Sequence, residues 1–196
     1  DLHTTAPAMQ ALLALTLDFG AAYAAEKRRR SLVDFSDLEH MTAQLLPDDD
    51  GAPTELARQL SGRYTEIMVD EYQDVSEVQD LIFRAVSRDG NNLFFVGDVK
   101  QSIYRFRLAD PTIFLDKYAR FADFRAALPG APRRILLREN FRSRRAVLEG
   151  ANHVFSNIMS RALGELDYDD AARLRAGAPY PDDGEKPELA VLELPD

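Results

Sequence analysis

Three apolar runs in this 196-residue chain each end in a polar cluster of a kind that phosphate chemistry uses. Ile67-Met68-Val69 leads into Asp70-Glu71-Tyr72-Gln73-Asp74. Leu93-Phe94-Phe95-Val96 leads into Gly97-Asp98-Val99-Lys100-Gln101-Ser102, and Ile135-Leu136-Leu137 into Arg138-Glu139-Asn140-Phe141-Arg142-Ser143. In an acid pair directly after a strand, Asp70 can hold a magnesium ion, usually through water, and Glu71 can take a proton from an attacking water. The same pair also suits a plain surface turn, and spacing alone does not choose between them. Gly97 permits a tight turn, and Gln101 could sense a terminal phosphate. Tyr104 and Phe106 alternate with Arg105 and Arg107. That interleaving suits base stacking and backbone contact with single-stranded nucleic acid. Core aromatics with solvated arginines would give the same pattern.

The elements that must position these groups read as α/β. Short apolar strands alternate with helices, which points to a parallel sheet with its strands buried. In such a sheet ligands bind at the carboxyl ends of the strands, so three polar strand ends on one rim would converge on one site. Helices are expected over Ala6 to Arg30 and from near Ser36, where Ser36 and Glu39 have capping-box spacing and Leu38, Met41 and Leu45 follow at helical intervals. Thr54 to Ser61 reads as a short helix. Further helices begin at Ser76, with Gln79 completing a capping box, at Asp110-Pro111, and at Ser143, the last running to about Ala162. The acidic turn Asp48-Asp49-Asp50-Gly51 lacks the alternating ligand spacing of a calcium loop. Residues 163–196 read as an acidic connector ending in a strand from Glu188 to Leu194.

Composition narrows the field. Net charge is −9, from 24 basic and 33 acidic residues. Yet Lys100 to Arg145 holds 12 Lys and Arg against 4 Asp and Glu. A basic segment on an acidic body suits a nucleic-acid or phosphate surface, or a solvated helix face. With no Cys, disulfide scaffolds and thiolate metal sites are excluded. His3, His40 and His153 are too scattered for a metal cluster. No apolar run is expected to reach the roughly 18 residues of a membrane span, and no secretory signal is visible, which leads to an expected soluble, cytoplasmic protein without a membrane partner.

Val69 to Asp74 resembles motif II, the Walker B element, of UvrD/Rep-like superfamily 1 DNA helicases. Gly97 to Arg107 resembles their motif III, and Asn140-Phe141-Arg142-Ser143 their motif IV. Asp34-Phe35-Ser36-Asp37-Leu38 looks like the family's short segment upstream of motif II. Within the family the wording is closest to the AddA-type helicase-nuclease subunits, with RecB-type subunits as near neighbours. The resemblance implies a bacterial ATP-dependent 3′-to-5′ DNA translocase acting in double-strand-break repair and recombination. Its implied cofactors are ATP and Mg2+, and its implied partners single- and double-stranded DNA ends and an AddB-like subunit. Residue by residue it implies that Asp70 binds magnesium and Glu71 is the general base. It has Gln101 contact the γ-phosphate, Phe141 stack on adenine, and Arg142 act as the arginine finger. Asn140 would fix the local backbone. Tyr104, Phe106 and Arg107 would line the single-strand path. Lys100 stays open between a DNA or phosphate contact and plain surface.

No Gly-x-x-x-x-Gly-Lys-Ser/Thr run occurs in these residues. That loop cradles the nucleotide phosphates. The expectation is therefore an inactive fragment with a partial RecA-like (P-loop NTPase) parallel sheet flanked by helices. Residues 1–33 would be a helix from an inserted subdomain of the first motor domain, and 34–137 the C-terminal half of the first RecA-like domain. Residues 138–196 would begin the second. An open sheet edge would favour self-association. The alternative is a non-catalytic DNA-binding or scaffolding module derived from a helicase.

Overall fold

The computed structural model describes residues 2–48, 50–102, 108–164, 166–181 and 188. They divide into two compact units: the described parts of Asp1–Gly97 with Ile103–Ile113, and of Asp98–Ser102 with Phe114–Asp196.

In the first unit, α1 (Leu2–Arg30), α2 (Phe35–Leu45), α3 (Glu55–Ser61) and α4 (Glu77–Ala85) accompany the strands β1 (Ile67–Val69) and β2 (Leu93–Phe95). The strands pair in parallel, with Ile67 opposite Leu93 and Val69 opposite Phe95. Ser76 and Gln79 form the expected reciprocal cap on α4. The cap on α2 sits two residues earlier than expected. The Asp34 carboxylate accepts from the Asp37 backbone N–H, and the Asp37 carboxylate accepts from the Asp34 N–H. Aspartate caps as well as serine does, so two overlapping candidates competed and the acid pair won. The small core gathers Leu46, Ala57, Tyr72, Val75 and Ala109. The strands are not fully buried as expected. Met68 is 70% and Phe94 52% exposed on one face, while Ile67, Val69, Leu93 and Phe95 are half-buried.

The second unit holds most of α5 (Pro111–Arg120), then β3 (Ala122–Asp123), β4 (Arg133–Arg134), β5 (Glu139–Asn140), α6 (Arg145–Ile158), α7 (Arg161–Gly164) and β6 (Arg175–Ala176). Asp110 caps α5, accepting from the Thr112 backbone N–H at 2.9 Å. β3 pairs with β4 and β5 with β6, both in parallel. The expected single RecA-like sheet is not what the described residues form. They make three separate two-stranded parallel sheets. Ile135 to Leu137, expected as a strand, is irregular chain between β4 and β5. No other described strand runs beside it, and Leu137 is 86% exposed. An apolar triplet becomes a strand only where a neighbour takes its backbone hydrogen bonds. The expected helix from Ser143 to Ala162 is split into α6 and α7. The expected strand Glu188 to Leu194 lies, apart from Glu188, outside the described residues.

Helix α1 is unlike the others. Its apolar side chains point all round, and Met9, Leu12, Leu13, Leu15, Leu17 and Phe19 are 56–74% exposed. Its stretch Thr5–Arg30 is, by length and composition, apolar enough to cross a membrane, contrary to expectation. A helix with no polar face is normally covered by other protein as often as by lipid, and the four basic residues at its end suit the helix dipole equally well.

That basic end does more than answer the dipole. The Lys27 ammonium donates to Asp34 at 2.9 Å and to Asp37 at 2.6 Å, and the Tyr23 hydroxyl donates to Asp34 at 3.1 Å. The α2 cap is thereby bolted to α1. Lysine and the Asp37 backbone N–H hold the Asp34 carboxyl down to about 2, and Asp37 is lowered for the same reasons. A depressed carboxyl stabilises the fold above its ordinary value of 3.8 and loses that contribution as pH falls toward 2. Asp34→Asn keeps a capping oxygen and removes the charge. It is expected to melt several degrees lower than the parent at pH 7, with the gap closing as pH falls from 4 to 2. Thermal melts followed by far-UV circular dichroism check this; a gap independent of pH would exclude the ion pair as its source.

Candidate functional site

The first half of the site grows out of the end of β1. The Val96 N–H donates to the Val69 carbonyl at 2.9 Å, and the Tyr72 N–H to the Val96 carbonyl at 2.8 Å, so the parallel ladder carries on around the acid pair. Between those bonds the backbone must fold back sharply. Glu71 does this with φ 50 and ψ 39, the left-handed conformation. For a residue with a side chain this is uncommon, costs on the order of 1–3 kcal/mol, and persists only when its surroundings over-determine it.

The surroundings here do so. Tyr72 follows in a 3₁₀ turn (Tyr72–Asp74) and is fully buried, its ring stacked on Phe95 at 4.0 Å between centroids. Its hydroxyl donates a very short hydrogen bond to Asp80 of α4, itself buried and paired with Arg84 at 3.0 Å. Burial, with the Asp80 carboxylate beside it, pushes the Tyr72 phenol well above its ordinary value, so it stays a donor. The anchored tyrosine leaves Asp70 and Glu71 exposed at the strand end. Asp70 uses one carboxylate oxygen to accept from the Glu71 N–H at 2.9 Å. Gln73, 1% exposed, donates its amide to Glu71 at 2.8 Å and to Asp74 at 3.3 Å.

Gly97 lies at the end of β2, and its role differs from the tight turn expected. Its φ is not positive. A β-carbon there would fall 2.7 Å from the Gln73 side-chain oxygen and 3.1–3.2 Å from the backbone nitrogens of Gln73 and Tyr72. Glycine is needed for close approach.

The second unit carries the other named residues. Asp98 caps a 3₁₀ turn (Val99–Gln101). One Asp98 oxygen pairs with the Lys100 ammonium at 2.7 Å, and the other accepts from the Gln101 amide at 3.1 Å. Lys100 and Gln101 therefore share one aspartate that sequence reasoning left without a role. Farther along, the Asn140 side-chain oxygen accepts from the backbone N–H groups of Arg142 at 2.9 Å and Ser143 at 2.8 Å. This Asx turn ends β5 and presents Phe141 and Arg142 to solvent, Phe141 being 63% exposed. The Phe141 ring rests against Gly177, where a β-carbon would meet it at 2.7 Å. The Tyr180 hydroxyl reaches the Phe141 and Arg142 carbonyls at 3.2 and 3.3 Å. Asn152, buried in α6, accepts from the Tyr168 hydroxyl at 2.7 Å and holds both backbone groups of Leu174, which sets β6 beside β5.

Sequence reasoning missed Tyr72, Asp80, Asn152, Gly177 and Tyr180. Their partners lie up to 39 residues away, beyond any local spacing rule. Tyr104, Phe106 and Arg107 lie outside the described residues. Among the described residues no cluster of three or more acidic or histidine side chains is set to hold a metal. The exposed Asp70 carboxylate, with one oxygen engaged by its own turn, fits a magnesium ion that keeps mostly water and phosphate ligands.

Residues 5–122 match the UvrD/REP helicase N-terminal domain. Over its whole length the chain is 46% identical to AddA, the larger-named partner in the ATP-dependent helicase/nuclease, of Exiguobacterium sibiricum, covering 16% of that protein. It is 49% identical to the protein of the same name from Desulfitobacterium hafniense over 89% of the chain, covering 13% of that protein. For the Staphylococcus aureus counterpart the figures are 42% identity and 98% of the chain, again 16% of the relative. The chain thus spans about a sixth of the length of these curated relatives.

Proposed function

This chain belongs to the UvrD/REP helicase family, and from that premise we propose that it is part of an ATP-driven 3′-to-5′ DNA helicase of the AddA helicase/nuclease type. The observation that carries the reading is the exposed, strained Glu71, held at the end of β1 by Tyr72 behind it and Gln73 beside it. A carboxylate fixed in that way suits a general base.

In the proposed reaction the oxygen of a water molecule bonds to the γ-phosphorus of ATP. The bond from that phosphorus to the bridging oxygen breaks, ADP leaves with the electron pair, and the water proton passes to Glu71. Magnesium, when bound, neutralises phosphate charge. Asp70 is the residue placed to hold it. Arg142 offers its guanidinium to the transferring phosphoryl group. Gln101 reads the γ-phosphate, leaving Asp98 when nucleotide arrives, and Phe141 supplies a flat face for adenine. Tyr104, Phe106 and Arg107, with Lys100 at the margin, carry the single strand.

The remaining assignments follow the same family premise. Residues 34–137 belong to the first RecA-like domain, 1–33 to its inserted subdomain, and 138–196 to the start of the second. The complete enzyme works on DNA ends in the bacterial cytoplasm, in double-strand-break repair, beside an AddB-like subunit.

The test uses the full-length protein that carries this chain. It should hydrolyse ATP only with magnesium and single-stranded DNA, and unwind a duplex bearing a 3′ tail. The 196 residues alone, without a phosphate loop, should show negligible turnover. DNA binding by the full-length protein without hydrolysis would point to a scaffolding module instead, and magnesium-dependent turnover by the isolated chain would overturn the division of labour proposed here.

A further inference from the structure

Glu71 is exposed, and an exposed glutamate ordinarily samples several rotamers. Its carboxylate nevertheless has a fixed neighbour. The Gln73 amide, itself almost wholly buried, donates to Glu71 at 2.8 Å and to Asp74 at 3.3 Å. With its nitrogen turned toward two carboxylates, the amide has its oxygen facing Gly97. That oxygen stands 2.7 Å from where a β-carbon of residue 97 would lie. The other two atoms close to that point are backbone nitrogens of Tyr72 and Gln73, which cannot swing aside.

We infer that Gln73 is a positioning residue for the Glu71 carboxylate, and that the bare α-carbon of Gly97 is what lets it reach. This rests on the reading of Glu71 as the general base. Gln73 touches neither nucleotide nor water; it acts through Glu71 alone. Two strand ends are thereby joined: the end of β2 decides the aim of a carboxylate at the end of β1. Any side chain at position 97 pushes on the turn and on the amide together.

The test is a double-mutant cycle in the full-length protein with DNA and magnesium present. Gln73→Met preserves volume and removes both donors. It is expected to lower kcat by about 10- to 100-fold, the scale of a misaimed catalytic group, with KM for ATP and the affinity for a fluorescent ATP analogue held within about twofold. In a Glu71→Gln background the same change should cost less than about twofold, because the group it positions is already gone. Gly97→Ala, with Gln73 intact, should reproduce the kcat loss and the same non-additivity, and it stands in if Gln73→Met does not fold. Equal losses in both backgrounds, a rise in KM at constant kcat, or an unchanged kcat would each overturn the inference. If Glu71→Gln alone keeps its turnover, it is the general-base reading that fails, whatever Gln73 does.

Discussion

Arg142→Ala in the full-length protein is expected to reduce DNA-stimulated ATP turnover by about 10³- to 10⁵-fold, the range for removal of an arginine finger. The physical case begins with the turn. Asn140 collects the N–H groups of Arg142 and Ser143, and Tyr180 reaches the Phe141 and Arg142 carbonyls, so the backbone beneath Arg142 is held from both sides. The side chain is exposed, and among the described residues no acid pairs with it. A cation held on a firm base and left unneutralised is suited to meet charge that appears only during reaction. Arg142→Lys should recover little of the loss, since an ammonium lacks the planar fork that meets two phosphate oxygens. Phosphate-release kinetics measure the effect, with binding of a fluorescent ATP analogue as control. A loss below about tenfold would remove Arg142 from the role.

Glu71→Gln should cost about 10²- to 10⁴-fold in kcat, the usual worth of a positioned base. Glutamine matches glutamate in shape and still fits beside Gln73, so nucleotide affinity and DNA affinity should hold. The variant is expected to bind both and stall, a state visible as a stable complex in gel-shift assays with ATP present. Parallel loss of binding and turnover would instead mean that Glu71 supports the turn. The left-handed backbone at Glu71 makes that distinction worth drawing, because a strained residue can be kept for shape as well as for chemistry.

What could be read from the sequence was local. Ile67–Val69 and Leu93–Phe95 are short apolar runs between turn signals, and Ser76 with Gln79 is a complete cap within four residues. The acid pair, the glutamine and the asparagine turn were visible as residue types in order. What escaped depends on partners remote in sequence. Ile135–Leu137 has the composition of a strand and, among the described residues, no neighbour to make it one. Gly97 looked like a turn residue because its crowding comes from Gln73, 24 positions earlier. Asp98 looked like part of a motif until its two oxygens were seen to hold Lys100 and Gln101 at once.

The long first helix has a practical corollary for anyone producing this segment. At about 1.5 Å per residue it is a greasy rod roughly 40 Å long, and its bare leucines will drive colloidal association and poor recovery. Trimming it looks like an easy remedy. Yet its last turns supply Tyr23 and Lys27, which grip the start of the next helix through Asp34 and Asp37. A shortened product would gain solubility and lose the staple that tells α2 where to begin, so surface redesign of the rod is the better course than its removal.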